Sequence, residues 1–374
     1  MDAIQDKVNK AIIYSEPGTS ATEVIELPLE APGPGQVLVR MHVLRIPPFQ
    51  HPKEMLYSGV CHTDYSICTN AWKVPVMVAK GQIGGHEGIG EVVVCGPGVS
   101  HPTIGSKVGV KYIASACLSC RYCLLGMESN CVAAKLSGSF HPGTFQQYCV
   151  AAANYVTVLP EGVPDDELAG LAPIMCAGIT VYTGLKHGNL RPGDWVAVSG
   201  AGGGLGHLAI QYAKALGCRV VALDVAEKNL LCTDAGADEF VDVFGFTQDT
   251  DLCRHVRETT GGGPRAALVC SSSNTAYSQA IQYLDTTGTL VCLGIPEGQQ
   301  VPIQGASVAL LVSRQLRIIG SKVGNRLDAN ECVYMAARGA VKCHYQLRKM
   351  NELTQVFNDM EEGKILGRVV IDLR

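Results

Sequence analysis

Four cysteines carry the clearest chemical signal. Cys117, Cys120, Cys123 and Cys131 follow the pattern C-x2-C-x2-C-x7-C. Two intervening residues let neighbouring thiolates reach one ion, and a fourth cysteine a short turn away closes a tetrahedron. Four thiolates leave no open position, so this set reads as a structural zinc site. Four unrelated cysteines, or an iron–sulfur cluster, are the other readings of the same spacing.

A second group of metal ligands is scattered. Cys61 opens Cys61-His62-Thr63-Asp64, His86 and Glu87 stand in Gly84-Gly85-His86-Glu87-Gly88, and Cys176 follows Ala172-Pro173-Ile174-Met175. A lone His beside glycine is ordinarily a hydrogen-bonded structural residue, and a lone Cys a core residue. Taken together, Cys, His and Cys would supply three protein ligands and one open position, the arrangement of a catalytic zinc.

A third signal is the run Gly200-Ala201-Gly202-Gly203-Gly204-Leu205-Gly206, which departs from G-x-G-x-x-G but fits G-x-x-G-x-x-G through Gly200, Gly203 and Gly206. Such a loop brings backbone N–H groups and a helix N-terminus to a pyrophosphate. Asp224 ends the next strand candidate, where a carboxylate can accept hydrogen bonds from ribose hydroxyls and would repel a 2′-phosphate. This favours NAD over NADP. Lys228 either adds a hydrogen bond to the ribose or is a solvated charge. The plainer reading is a tight strand–helix turn beside a surface Asp.

These groups need a scaffold. The chain has 374 residues, enough for two domains, with 47% hydrophobic and 17% charged residues. A net charge of −4 gives no sign of a nucleic-acid or membrane surface. Met1 to Lys10 lacks an apolar stretch, which argues against a secretory signal. The 16 cysteines are then expected as reduced thiols in a cytoplasmic protein. The uncharged runs Leu168–Leu185 and Trp195–Ala213 are interrupted by proline, glycine or polar residues and read as buried parts of an α/β protein rather than membrane spans.

Residues 11–45 and 85–175 have a strand-and-turn texture, with Gln36–Arg40 as a strand after the turn cluster Pro32-Gly33-Pro34-Gly35. From about Cys176 the texture changes. Trp195–Ser199, the glycine loop, a helix over Leu205–Leu216 and the strand Arg219–Asp224 form a β-loop-α-β unit, so a parallel sheet is expected. Further strands are expected at Ala266–Cys270, Thr289–Ile295, Leu316–Gly320 and Arg368–Leu373, with a helix over Met350–Glu362.

The stretches GVCHTD, GGHEGIGEVV, ACLSCRYCLLGMESNC, GTFQQY, APIMCAGITVY, SGAGGGLG and GRVVIDL resemble the medium-chain zinc alcohol dehydrogenases, the fungal and yeast ethanol-type branch above all. The likeness spans nearly the whole chain. It implies an α/β protein with a barrel-like (GroES-like) catalytic domain and an inserted Rossmann domain with a doubly wound parallel sheet. The catalytic domain would be residues 1–175 completed by 326–374, the coenzyme domain 176–325, and the crevice between them would hold the site. It implies two zincs per chain and NAD. Cys61, His86 and Cys176 match the catalytic zinc ligands, Glu87 a carboxylate that can approach that metal, and Asp64 the carboxylate that orients the zinc-bound His. The four clustered cysteines match the structural zinc lobe. Gly203, Gly204 and Gly206 match the pyrophosphate loop, Asp224 and Lys228 the ribose contacts, Arg368 an arginine that pairs with pyrophosphate, and His62 a residue near the coenzyme phosphates. Thr63 would pass the alcohol proton. The expected reaction is reversible oxidation of a primary or secondary alcohol to an aldehyde or ketone, in a homotetramer or homodimer.

Three departures bear on the substrate. Ser66 stands where the ethanol-type pattern has a relay His, and a serine is a poor base near neutral pH. Tyr112 replaces a pocket Trp, while Trp72 keeps the other aromatic position. Ala201-Gly202 replaces two alanines. The pocket is therefore expected to fit ethanol less closely and to admit longer or secondary-metabolite alcohols. Met41–Glu54 is an insertion relative to the family, with three prolines that exclude a central strand. It reads as a surface loop or as an untrimmed intron. Two other functions stay open: a dehydrogenase dedicated to a polyol or secondary metabolite, and a non-catalytic member of the fold.

Overall fold

A computed structural model describes residues 8–41, 57–298 and 301–374. The Met41–Glu54 insertion, apart from Met41 itself, lies outside the described residues. Contacts divide the chain into two compact units. One comprises residues up to Cys176 with Gly324–Ala337 and Tyr345–Arg374; the other comprises Ala177–Val323 with Arg338–His344.

The first unit is built on an eight-stranded sheet. Strand Gly88–Cys95 pairs antiparallel with Gln36–Arg40, Tyr57–Val60 and Lys107–Val110. Tyr57–Val60 is flanked on its other side by the last strand, Arg368–Asp372, which runs parallel to Tyr345–Lys349. The C-terminal segment thus completes a sheet begun by the N-terminal half. Its strands bury Val37, Val39, Val60, Val92, Val108, Val369 and Ile371 in one core with Tyr14, Phe145 and Phe357. Alternation along the strands places these residues on the inner face.

The second unit is a six-stranded parallel sheet in the order Glu239–Asp242, Arg219–Asp224, Trp195–Ser199, Ala266–Val269, Thr289–Cys292, Arg317–Gly320. Numbered along the chain this is 3-2-1-4-5-6, the dinucleotide-binding order whose strand direction of travel reverses beside the first strand. Trp195–Ser199 is buried at every position, as a central parallel strand covered on both faces must be. Among the described residues no single helix is long and apolar enough to cross a membrane. The tail expected as one helix over Met350–Glu362 begins with a 3-10 turn, Met350–Glu352, before the α-helix Leu353–Glu361.

Candidate functional site

In the first unit the four clustered cysteines form a loop around a short helix, Arg121–Leu124. Their sulfurs lie within 4.8 Å of one another. Cys117 is 3.9 Å from Cys123 and 3.6 Å from Cys131, and Cys120 is 3.6 Å from Cys123. Four sulfurs placed about 2.3 Å from one zinc would be separated by roughly 3.8 Å, so the spacing fits that ion. The Cys120 N–H donates to the Cys117 sulfur at 3.3 Å. Backbone N–H groups of Ser119 and Cys120 hold the Cys117 thiol down at about 6, which favours the thiolate that a metal needs.

Below the lobe lies a brace that spacing did not reveal. Glu128, 5% exposed, accepts from the Tyr155 hydroxyl at 2.9 Å and from Arg326 Nε at 3.1 Å. Beside it Lys111 is buried, with Nζ donating to Thr157 Oγ1 at 2.9 Å and to the Tyr155 carbonyl. Burial pushes the Lys111 amine down to about 7.

The scattered ligands converge elsewhere in the same unit. Strand Tyr57–Val60 delivers Cys61, which caps the helix His62–Thr69. Ligand atoms of Cys61, His86, Glu87 and Cys176 all lie within 4.8 Å of one another, and all four residues are buried. Asp64, at the third helical position, accepts from the Cys61 N–H at 2.9 Å and the Gly85 N–H at 3.2 Å, and its Oδ1 lies 2.8 Å from His86 Nδ1. A carboxylate at that nitrogen makes Nδ1 the donor, so Nε2 presents its lone pair. That Nε2 is buried and has no hydrogen-bond partner. An unpaired buried ring nitrogen on a residue clustered with two buried cysteines is the observation that fits a cation here. The Cys61 thiol is drawn below its ordinary value by its hydrogen bond with Cys176, and Cys176 is correspondingly raised. Zinc at this point would ionise both.

Glu87 is held from the other side. Arg368 on the last strand donates to both its carboxylate oxygens at 2.5 Å, with the two side chains 5% and 0% exposed. The absence of a side chain at Gly59 makes room, since a Cβ there would meet Glu87 Oε2. Burial pushes the Glu87 carboxyl up to about 7 against the pull of the guanidinium. Arg368 is therefore placed against Glu87, a pairing its resemblance to a pyrophosphate-binding arginine did not announce.

Around this cluster, Tyr112 sets its ring edge-on to His86, with centroids 5.2 Å apart. Ser66 is 1% exposed, Thr63 and Trp72 are half-buried, and His62 is exposed with its ring 5.4 Å from Tyr65.

In the second unit the glycine loop joins Trp195–Ser199 to the helix Gly206–Ala215. Gly200 has φ +74°, a conformation that favours glycine. A Cβ on Gly206 would meet the Gly200 carbonyl and Ala201, so helix and strand pack closely there. Asp224, 8% exposed, accepts from the Gly202 N–H and the Val225 N–H, each at 2.8 Å, and lies 3.5 Å from Lys228 Nζ. His207 was not anticipated. It takes the His344 N–H on Nε2 at 3.1 Å, which leaves Nδ1 to donate to the Gly203 carbonyl at 2.9 Å. Gln211, one turn on, clasps Lys342 through both its carbonyl and its N–H. No motif signals this, because it depends on Arg338–His344 returning to the second unit.

Comparison with known proteins identifies relatives of this chain. Residues 54–161 match the alcohol dehydrogenase GroES-like domain and residues 204–338 the zinc-binding dehydrogenase family. The chain is 44% identical to alcohol dehydrogenase 2 of Emericella nidulans, over 98% of both chains. It is 40% identical to an alcohol dehydrogenase of Schizosaccharomyces pombe, over 99% of both. Among solved structures, the alcohol dehydrogenase of the archaeon Aeropyrum pernix superposes with a TM-score of 0.83 at 28% identity, covering 97% of this chain and 99% of that one. An acetophenone reductase from Geotrichum candidum, solved with NAD, superposes with a TM-score of 0.78 at 25% identity, covering 98% and 97%. With a relative this similar over its full length, and with two cysteine-rich ligand clusters, the chain belongs to the zinc-dependent alcohol dehydrogenases.

Proposed function

We propose that this enzyme oxidises primary or secondary alcohols reversibly with NAD, using Cys61, His86 and Cys176 to hold the catalytic zinc, and Cys117, Cys120, Cys123 and Cys131 to hold the structural one. The buried, unpaired Nε2 of His86, in a cluster with Cys61 and Cys176, carries the first assignment. Bound there, zinc would supply Lewis acidity for the alcohol oxygen, and NAD would supply the hydride acceptor. The residues do the rest. Asp64 holds the His86 ring in the tautomer that leaves Nε2 free. Glu87 adds a carboxylate beside the ligands, restrained by Arg368. Thr63 takes the alcohol proton on its hydroxyl. Ser66 can pass a proton but hold none near neutral pH, and its burial denies it direct contact with water. The proton leaves instead through water or coenzyme hydroxyls, with His62 exposed one position before Thr63.

His62, Gly200, Gly203, Gly204, Gly206 and Arg368 are assigned to the coenzyme phosphates, and Asp224 with Lys228 to the adenosine ribose. Asp224 already stands at the end of its strand beside the loop, where a 2′-phosphate would meet a carboxylate. Trp72 and Tyr112 are assigned to the substrate pocket, and Tyr112 to its widening. Kinetics with NAD and NADP across ethanol, hexanol and benzyl alcohol test the reading. Comparable kcat/KM for hexanol and ethanol supports it; a strong ethanol preference overturns the wider pocket.

The enzyme is further proposed to be a cytoplasmic homotetramer or homodimer. Reduced thiols at two ligand clusters suit a reducing compartment. The edge strand Arg317–Gly320 is largely exposed, and the nearby helix Val308–Arg314 buries no residue fully and exposes Val308 and Val312. An open, apolar sheet edge of this kind is covered in stable proteins. Light scattering reads the oligomeric state directly.

A further inference from the structure

His207 holds the glycine loop with its side chain as well as its backbone. Its ring is 1% exposed, with Nδ1 2.9 Å from the Gly203 carbonyl and Nε2 3.1 Å from the His344 nitrogen. A backbone N–H can only donate, so Nε2 accepts and the ring proton stands on Nδ1, given to Gly203. The same carbonyl accepts the His207 N–H at 3.2 Å, at the start of the helix Gly206–Ala215. The ring bond is the shorter of the two.

That carbonyl matters for what lies across its peptide. A trans peptide is planar, so its C=O and the next N–H point in opposite directions. With the Gly203 carbonyl drawn toward the helix, the Gly204 N–H points out from the helix start, the direction in which a helix offers N–H groups to an anion. Neither Gly203 nor Gly204 has a Cβ to resist rotation of the peptide between them, so a second bond to its carbonyl is what restrains it. The far edge of the ring is fixed as well. His344 belongs to the same unit, and Gln211 accepts the nearby Lys342 N–H at 2.7 Å and donates to its carbonyl at 2.8 Å.

We infer that His207 is a positioning residue for the coenzyme pyrophosphate: its Nδ1–H holds the Gly203 carbonyl toward the helix and so keeps the Gly204 N–H turned to the phosphates. This rests on the assignment of the glycine loop to the pyrophosphate of NAD. Loss of the Nδ1 donor lets the Gly203–Gly204 peptide swing. Binding of any ligand that carries the pyrophosphate then weakens, while the adenosine end and the zinc cluster of the first unit are left as they were.

Two substitutions of similar size separate this role from packing. His207→Asn keeps a side-chain N–H where Nδ1 stood, and His207→Leu does not. Neither reaches the His344 N–H, so both lower the melting temperature alike. NADH binding to the zinc-loaded enzyme is followed by fluorescence, with ADP-ribose and adenosine as competitors, beside steady-state kinetics in NAD. His207→Leu raises the dissociation constants of NADH and ADP-ribose and KM for NAD about fivefold, the scale of one net hydrogen bond, with adenosine within about twofold and no fall in kcat. His207→Asn stays within about twofold of the unaltered enzyme in each. Where His207→Leu fails to fold, His207→Ala takes its place with the same expected losses. Equal losses in the Asn and apolar variants, a fall in kcat, or weakened adenosine binding overturns the positioning role. ADP-ribose that binds the unaltered enzyme no more tightly than adenosine overturns instead the pyrophosphate assignment beneath it.

Discussion

The two cysteine clusters of the first unit solve the problem of holding a cation in opposite ways. The lobe at Cys117–Cys131 takes all four ligands from one short stretch, and Cys117 within it is exposed. Its Cys117 thiol is prepared by local backbone N–H groups. The cluster at Cys61, His86, Glu87 and Cys176 draws on segments far apart in the chain, every ligand is buried, and its carboxylate is tied to the last strand by a partner 281 residues away. A local loop can form a complete set that closes around its ion. A dispersed set depends on the sheet, and the fold must settle each charge it buries: Asp64 on His86, Arg368 on Glu87. The open coordination that chemistry needs is therefore found where stability is hardest to secure.

Removing a ligand from each set should separate them most sharply. His86→Ala is expected to lower kcat by at least about 10³-fold, with one zinc per chain retained. Zinc content by mass spectrometry checks it; loss of both zincs would show that the clusters are not independent. Cys120→Ser should do the reverse, losing the lobe's zinc and lowering the melting temperature by roughly 5 °C or more, read by calorimetry. Full turnover per remaining zinc at low temperature is the matching outcome.

Asp64→Asn is milder. It keeps the shape but removes the charge on His86 Nδ1, and zinc affinity at the buried cluster should fall about 10–100-fold, measured by competition with a chelator. The corresponding contact in the lobe is backbone, so the lobe's zinc is unaffected. The smallest effect concerns Lys111 behind the lobe. Its folded amine sits at about 7, below the ordinary lysine value, so between those values the unfolded chain binds the extra proton. Stability should rise with pH through that window, by at most about 1.4 kcal/mol per unit, and the penalty is complete below about 7. Lys111→Met should flatten this slope in denaturant titrations at pH 7 to 9. An unchanged slope would place the titration elsewhere.

Much of this was legible beforehand, for reasons that can be named. The C-x2-C-x2-C-x7-C spacing and the strand–glycine–helix–strand run are local patterns, and local patterns survive without a fold. Cys61, His86 and Cys176 were separately weak and persuasive only as a set backed by a family likeness. What stayed hidden was pairing made by tertiary structure. Glu87 with Arg368, Glu128 with Arg326 and Tyr155, and His207 with His344 each join residues whose neighbourhood no spacing encodes. The helix expected over Met350–Glu362 starts late because its first turn is tightened by Glu352 reaching back to the Lys349 N–H.

The last strand has a consequence in time. Arg368–Asp372 fills the place between Tyr57–Val60 and Tyr345–Lys349, yet the second unit's main segment, Ala177–Val323, precedes it in the chain. During synthesis all six strands of the coenzyme sheet leave the ribosome while the first sheet still lacks a central member. Glu87 waits without its guanidinium until Arg368 is made, so the buried ligand cluster is completed only after the strands of the second unit have emerged.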